Sequence, residues 1–98
     1  TRTLDELTPR DVIIDALLGT GSQLPLRPNL AAWTQCANRS SAFRVALDLP
    51  TGLEANIGTI DDDCFQADVT LTFAALKLGF QTAEASRVLG KVHVISIG

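Results

Sequence analysis

The segment IIDALLGTG, residues 13–21, carries most of the information that decides the fold. Its apolar start predicts a strand covered on both faces, as in a parallel sheet with helices above and below. Asp15 interrupts the apolar run, and a carboxylate there must be hydrogen-bonded, paired or bound to a cation. Gly19, Thr20 and Gly21 follow, where glycine allows a tight turn whose N–H groups can point at phosphate. Taken alone, this turn falls short of the GxGxxG dinucleotide motif.

Three further β-branched runs extend the sheet, so that strands are predicted at 11–18, 43–49, 67–73 and 91–98. Pro28 can begin a helix that Asn38 closes, which makes the first two strands part of a βαβ unit. Right-handed βαβ units place the loops after both strands at one sheet edge, where open α/β sheets bind ligands. The stretch 49–68 has no clear period and is predicted to be a long loop. The predicted class is therefore α/β with a mainly parallel sheet.

The second informative segment is ALDLPTG, residues 46–52. Asp48 ends a strand, and the Pro-Thr-Gly exit is expected to leave the Thr51 hydroxyl exposed at the same sheet edge. If the two strands are neighbours, Asp15, Asp48 and Thr51 converge into an oxygen-only environment that suits an alkali or alkaline-earth cation. The alternative is that Asp48 and Thr51 only cap the turn that follows.

Composition excludes several classes of function. The 98 residues carry a net charge of -3 and no basic stripe, which disfavours nucleic-acid binding. No apolar run approaches the roughly 20 residues that span a bilayer, so no membrane partner and a cytoplasmic location are expected. Cys36 and Cys64 form no CxxC pair, which argues against a zinc site or a disulfide framework. The opening TRTLDELTP does not look like a natural start, so the chain is interpreted as a fragment of a larger domain.

Four other polar or aromatic features receive ordinary structural interpretations. Lys77 could reach a phosphate, but it is expected to be solvated. The acidic turn 61–63 is also expected to be solvated, because it lacks the ligand spacing of a calcium loop. Trp33 is expected to be a core residue on a helix face, and His93 a packed or edge residue of the last strand.

Several linked motifs, VIIDALLGTG, VALDLPTGLEANIG, ADVTLTFAALKLGF and GKVHVISIG, together resemble the second half of the YjeF N-terminal domain, the domain of the NAD(P)H-hydrate epimerases. The resemblance covers residues 11–98, so the whole chain, 1–98, is interpreted as the C-terminal half of such a domain. It implies a Rossmann-like three-layer α/β/α sandwich, present here as a partial domain. It also implies epimerisation of the R and S forms of hydrated NADH or NADPH, an isomerase activity of metabolite repair.

The resemblance also implies roles for individual residues. Asp15 and Thr51 are expected to bind a potassium ion, with Thr51 where the family usually has Ser. The substrate-binding loop is expected at 19–25 and comprises Gly19, Thr20, Gly21, Ser22, Gln23, Leu24 and Pro25. Asp48 is expected to bind the hydrated nicotinamide and to act as the catalytic acid/base. The family's NNGGDG-like turn, whose Asn completes the potassium site, has no match in this chain, so the fragment alone is expected to be inactive.

Alternatives to the enzyme follow from the same fold. It occurs as a dimerising scaffold in an mRNA-decapping protein and in a lipoprotein-binding protein, so a non-catalytic interaction domain is the second hypothesis. A generic Rossmann-like nucleotide binder is the third, and it leaves the PTG turn unexplained. The resemblance allows for a homodimer, and for fusion to an ADP/ATP-dependent NAD(P)H-hydrate dehydratase domain on the C-terminal side.

Overall fold

The computed structural model describes residues 4–17, 24–73 and 77–96. Within these ranges four strands form one sheet in chain order: β1 (Val12–Asp15), β2 (Phe43–Leu47), β3 (Val69–Phe73) and β4 (Lys91–Ile95). All three neighbouring pairs of strands are parallel. Helix α1 (Pro28–Arg39) joins β1 to β2, and helix α2 (Ala83–Leu89) lies between β3 and β4, with short 3-10 turns at Leu4–Glu6 and Leu78–Gln81. The chain has a partial Rossmann-like α/β fold, which confirms the predicted class.

Helix α1 begins and ends close to the predicted residues. Pro28 stands in its first turn, where a missing N–H costs nothing, and the helix continues one residue beyond Asn38. Thr34 and Ala37 are buried, while Trp33 packs partly buried against the core and stacks on Phe65 with ring centroids 5.7 Å apart. The helix face predicted to be apolar therefore does contact the sheet.

Both helices pack on the same face of the sheet. Ile13 and Ala46 belong to the core under α1, whereas Val92 packs against the core under α2, and the Thr70 hydroxyl donates to the Leu89 carbonyl at 2.8 Å. The register pairs Ala46 with Thr70 and Thr70 with Val92, so these side chains point to one side. Because every connection advances in the same direction along the sheet, right-handed crossovers put each of them on that side.

The opposite face of the sheet is apolar and open. Val12 and Ile14 are each 56% exposed and Phe43 is 45% exposed. Alternate residues of the strands continue this surface, which we call the bare face: Val12, Ile14, Phe43, Val45, Leu47, Val69, Leu71, Phe73, Lys91, His93 and Ile95. The chain thus supplies the sheet and one helical layer of the implied three-layer sandwich.

Two details differ from the sequence predictions. The first strand was expected to be covered on both faces, but β1 alternates between exposed and buried residues because α1 covers one side only. The strands are also shorter than predicted: β1 ends at Asp15, and β2 ends before Asp48 because the chain turns there. The loop predicted at 49–68 contains no helix, and its one isolated bridge pairs Leu53 with Ile60.

Neither described helix is long and apolar enough to cross a membrane.

Two adjacent isoleucines test this one-sided packing. In the 98-residue chain, Ile14→Thr is expected to change the free energy of unfolding by less than about 0.5 kcal/mol, because Ile14 lies on the bare face. Ile13→Thr removes an isoleucine that is only 5% exposed and should cost about 2–4 kcal/mol. Threonine keeps the β-branch in both variants, so strand propensity is matched. Urea denaturation followed by circular dichroism measures both, and equal losses would contradict the one-sided core.

Candidate functional site

Asp15 ends β1 with its carboxylate buried on the helix-covered face, where the residue is 1% exposed. Oδ2 accepts a hydrogen bond from the Thr51 N–H at 2.6 Å, and Oδ1 accepts one from the Thr51 hydroxyl at 2.8 Å. The Leu17 N–H also donates to Oδ1, at 3.2 Å. A buried carboxylate is costly unless donors or cations compensate it, and these donors carry no formal charge. Its two oxygens have about four acceptor positions between them, so they can also take a cation.

Thr51 is more enclosed than the sequence indicated. Its hydroxyl was expected to be exposed at the sheet edge, but the residue is only 2% exposed. The hydroxyl and the N–H both turn inward to Asp15, and the Thr51 carbonyl accepts the Phe65 N–H at 2.8 Å. The correction has a simple physical reason, because the buried carboxylate of Asp15 takes the donors nearest to it.

Gly52 allows this turn to close. Its φ of 104° lies in the region that favours glycine, and a Cβ built on it would lie 2.8 Å from the Cα of Cys64. The close approach lets the chain from Thr51 to Gly52 run directly over the segment that ends the long loop. Glycine at this position is therefore required both by the turn and by the packing.

Asp48 lies at the same sheet edge in a different environment. Its N–H continues the ladder by donating to the Leu71 carbonyl at 2.7 Å, and the Leu49 N–H then closes a tight turn on the Leu47 carbonyl at 2.9 Å. The turn holds Asp48 at a φ of 71°, which is uncommon for a residue other than glycine. Such conformations cost of order 1–3 kcal/mol and are found most often at functional sites.

The Asp48 side chain faces β3 and the segment that follows it. Oδ1 lies 3.0 Å from the Lys77 ammonium and accepts a longer hydrogen bond, 3.4 Å, from the Thr72 hydroxyl. The side chain is 26% exposed, so a ligand can reach it. The sequence predicted that Asp15, Asp48 and Thr51 converge: Asp15 and Thr51 are in direct contact, whereas the contacts of Asp48 are with Thr72 and Lys77.

The predicted substrate loop is described only in part. Gly19, Thr20, Gly21, Ser22 and Gln23 lie outside the described residues. Leu24 and Pro25 are described, joined by a cis peptide bond, and the next N–H, that of Leu26, donates to Asp61 Oδ2 at 3.0 Å. Asp61 is in turn bound through its own N–H to the Gly52 carbonyl at 2.9 Å. The end of the predicted loop is therefore tied to the turn that follows Thr51.

Sequence reasoning missed three polar residues of this region. Lys77 and Asp61 were expected to be solvated, and Thr72 received no role. The structure pairs Lys77 with Asp48 and makes Asp61 a link between two loops. Lys77 was detectable in principle, because it follows β3 at the edge where parallel strands end.

The thiol of Cys64 is buried beside the carboxylates of Asp15 and Asp61. Burial, and then the charges of Asp15 and Asp61, raise the pKa of the Cys64 thiol from 9.0 to about 12. The thiol donates to the Phe65 carbonyl at 3.6 Å and is neutral at physiological pH. Cys64 is thus a packing residue beside the site and is unsuited to act as a nucleophile.

The strained turn makes a prediction about stability. Asp48→Gly should be more stable than Asp48→Ala by about 1 kcal/mol, because only alanine suffers the Cβ penalty at a positive φ. Both variants lose the ion pair to Lys77, so that loss cancels in the comparison. Urea denaturation of the two variants measures the difference. An alanine variant at least as stable as the glycine variant would contradict a strained backbone at Asp48.

The Cys64 thiol makes a prediction about pH. Because its folded pKa lies above its unfolded value, its contribution is fully present below pH 9 and is lost as the pH rises towards 12. The free energy of unfolding should therefore fall above pH 9, by at most about 1.4 kcal/mol per pH unit from this group. Cys64→Ala should flatten the decline, whereas Cys36→Ala should leave it intact. Unfolding titrations at several pH values test this, and equal slopes in both variants would refute it.

Comparison with known proteins agrees with the geometry. The profile of the family described as YjeF-related protein N-terminus matches residues 1–79. An NAD(P)H-hydrate epimerase of Rhodopirellula baltica is 51% identical over 92 residues, which are 94% of this chain and 38% of that protein. The bifunctional NAD(P)H-hydrate repair enzyme Nnr of Escherichia coli is 42% identical over 88 residues, 90% of this chain and 17% of that protein. The enzyme of the same name in Methanothermobacter thermautotrophicus is 40% identical over 91 residues, which are 93% of this chain and 17% of that protein.

The chain therefore spans well under half the length of these relatives: 38% of the Rhodopirellula epimerase and 17% of each of the two bifunctional enzymes. The family match covers most of the chain and includes the strands that carry Asp15 and Asp48, the turn that carries Thr51, and Lys77. By this match, and by its partial Rossmann-like fold, the chain belongs to the family of the YjeF-related protein N-terminus.

Proposed function

We propose that the parent protein of this chain is an NAD(P)H-hydrate epimerase, which interconverts the R and S forms of hydrated NADH and NADPH. The observation that carries the proposal is that two carboxylates with different environments lie at one edge of the sheet. Asp15 is buried and bound to Thr51, whereas Asp48 is accessible and held in a strained turn. A purely structural turn has no need for either feature, and the relatives named as epimerase or repair enzymes support the substrate class.

Asp48 is proposed to act on the hydroxyl at C6 of the nicotinamide ring. The C6–O bond breaks with assistance from the ring nitrogen lone pair, and the hydroxyl takes a proton and leaves as water. Water then adds to C6 from the opposite face and gives a proton back, so the cycle consumes none. Asp48 supplies the first proton and removes the second, which requires a carboxyl group within reach of C6. Its 26% exposure at the ligand-binding edge meets that requirement.

Asp15 and Thr51 are proposed to hold a potassium ion. The pair offers carboxylate and hydroxyl oxygens within 2.8 Å of each other, a donor set that fits a hard cation better than zinc. Among the described residues no group of three His, Cys, Asp or Glu side chains could hold a metal. When bound, the cation would neutralise the buried carboxylate and attract the anionic substrate.

Further parts of the proposal rest on the family alone. Gly19, Thr20, Gly21, Ser22, Gln23, Leu24 and Pro25 are proposed to bind the substrate, together with Asp48. A homodimer, a cytoplasmic location and fusion to a dehydratase domain belong to the same proposal. The fusion is supported by relatives that carry the name bifunctional repair enzyme.

The test is epimerisation of R-form hydrated NADPH by the full-length parent protein, coupled to an S-specific dehydratase. We expect turnover with potassium and little with tetramethylammonium. Thr51→Val, which replaces the hydroxyl by a methyl group of similar size, should raise the potassium concentration for half-maximal activity at least about 10-fold, whereas Thr51→Ser should not. Asp15→Asn should behave like Thr51→Val, with the exposed Asp62→Asn as its matched control.

Three outcomes would count against parts of this proposal. Absence of turnover under any cation would contradict the enzyme and favour the scaffold domain. Turnover that ignores potassium, with Thr51→Val equal to wild type, would remove the cation site alone. Unchanged epimerisation by Asp48→Asn would remove Asp48 as the acid/base while leaving the substrate assignment intact.

A further inference from the structure

Lys77 is the residue of the site to which the family resemblance gave no role, and for which the sequence offered only contact with a phosphate as an alternative to solvation. Its ammonium lies 3.0 Å from Asp48 Oδ1, and its side chain is 28% exposed. Asp48 is 26% exposed, so the ion pair is partly accessible to water, and screening by water keeps the contribution of such a pair to stability small. Stability is therefore a weak reason for this pairing, and its effect on the direction of the Asp48 carboxylate is the stronger one.

The backbone that carries Lys77 is held in place. Lys77 immediately precedes the 3-10 turn Leu78–Gln81, and its carbonyl accepts the Phe80 N–H at 3.1 Å. Gly79, within that turn, donates its N–H to the Ala55 carbonyl at 2.6 Å. A Cβ on Gly79 would lie 2.5 Å from that same carbonyl oxygen, so only glycine allows the approach. The turn is thus fastened to the loop that follows Thr51, and the lysine stem starts from a fixed point.

A second group acts on the same carboxylate oxygen. The Thr72 side chain is fully buried, and its hydroxyl contacts Asp48 Oδ1 from β3 at 3.4 Å. Among the described residues both side-chain contacts of Asp48 fall on Oδ1, so they fix the carboxylate through one oxygen and leave Oδ2 for a ligand. Catalysis by a carboxyl group depends on such orientation, because small misplacements of a reacting group cost large factors in rate.

We propose that Lys77 is a positioning residue of the epimerase site, which acts on the substrate through Asp48 by holding Oδ1 and directing Oδ2 towards the reacting hydroxyl. This inference rests on the proposed function. A direct contact between Lys77 and a substrate phosphate is the competing role. The two differ in kinetics, since a phosphate contact made equally in the ground and transition states affects KM, whereas positioning of the acid/base affects kcat.

The experiment measures epimerisation by the full-length protein carrying Lys77→Met, Lys77→Arg or Lys91→Met. Methionine keeps much of the apolar stem of lysine without its charge. Lys91 is the other lysine of the chain and is exposed at the start of β4, which makes Lys91→Met the matched control. We expect Lys77→Met to lower kcat by about 100-fold with KM close to wild type. Arginine should restore most of the activity, and the control should equal wild type.

A double-mutant cycle with Asp48→Asn decides whether Lys77 acts through Asp48. If it does, Lys77→Met should cause no further loss in the Asp48→Asn background. An equal loss in both backgrounds, a change in KM alone, or wild-type kinetics of Lys77→Met would each overturn the inference. These outcomes leave the proposed function standing, because wild-type turnover is measured in the same assay. Absence of wild-type turnover is the distinct result by which the proposed function itself would fail.

Discussion

The hydrogen bonds between Asp15 and Thr51 are the interaction on which the rest of the site depends. They join the end of the first strand to a turn 36 positions further along the chain, and they compensate a carboxylate that is almost fully buried. With Thr51 fixed, Gly52 is pressed against Cys64 and the long loop folds back over the helical face. The same loop accepts two further hydrogen bonds. The Leu26 N–H donates to Asp61, and the Gly79 N–H donates to the Ala55 carbonyl.

Asp15 thus ends the first strand and Asp48 directly follows the second, and the two aspartates have different environments. Asp15 is enclosed, and its charge adds to the burial that raises the pKa of the Cys64 thiol. Asp48 is displaced outward by a turn that no ordinary strand end needs, and its partners are a lysine and a threonine from the third strand. Their backbones also differ, because Asp15 belongs to a regular strand whereas Asp48 has a positive φ.

The winding of the chain explains the shape of the molecule. Each connection advances to the next strand in the same direction, so both helices and the long loop lie on one face. The other face carries apolar side chains of the first three strands together with Lys91, His93 and Ile95 of the fourth, and it is open. Apolar surface of this extent is unusual on an independent soluble domain and is typical of a surface that packs against further protein. The site itself lies at the carboxyl edge, between these two faces.

The sequence by itself predicted the four strands, the first helix and the parallel sheet, and it singled out Asp15, Asp48 and Thr51 as candidates, because alternation, turn residues and a carboxylate in an apolar run are local signals. It also indicated the first helix nearly to the residue, since proline marks its start. Tertiary structure alone decided that Thr51 faces inward, that Asp48 pairs with Lys77, and that one sheet face is bare. Those outcomes depend on which strands are neighbours and on the direction of winding, and local sequence patterns carry no information about either.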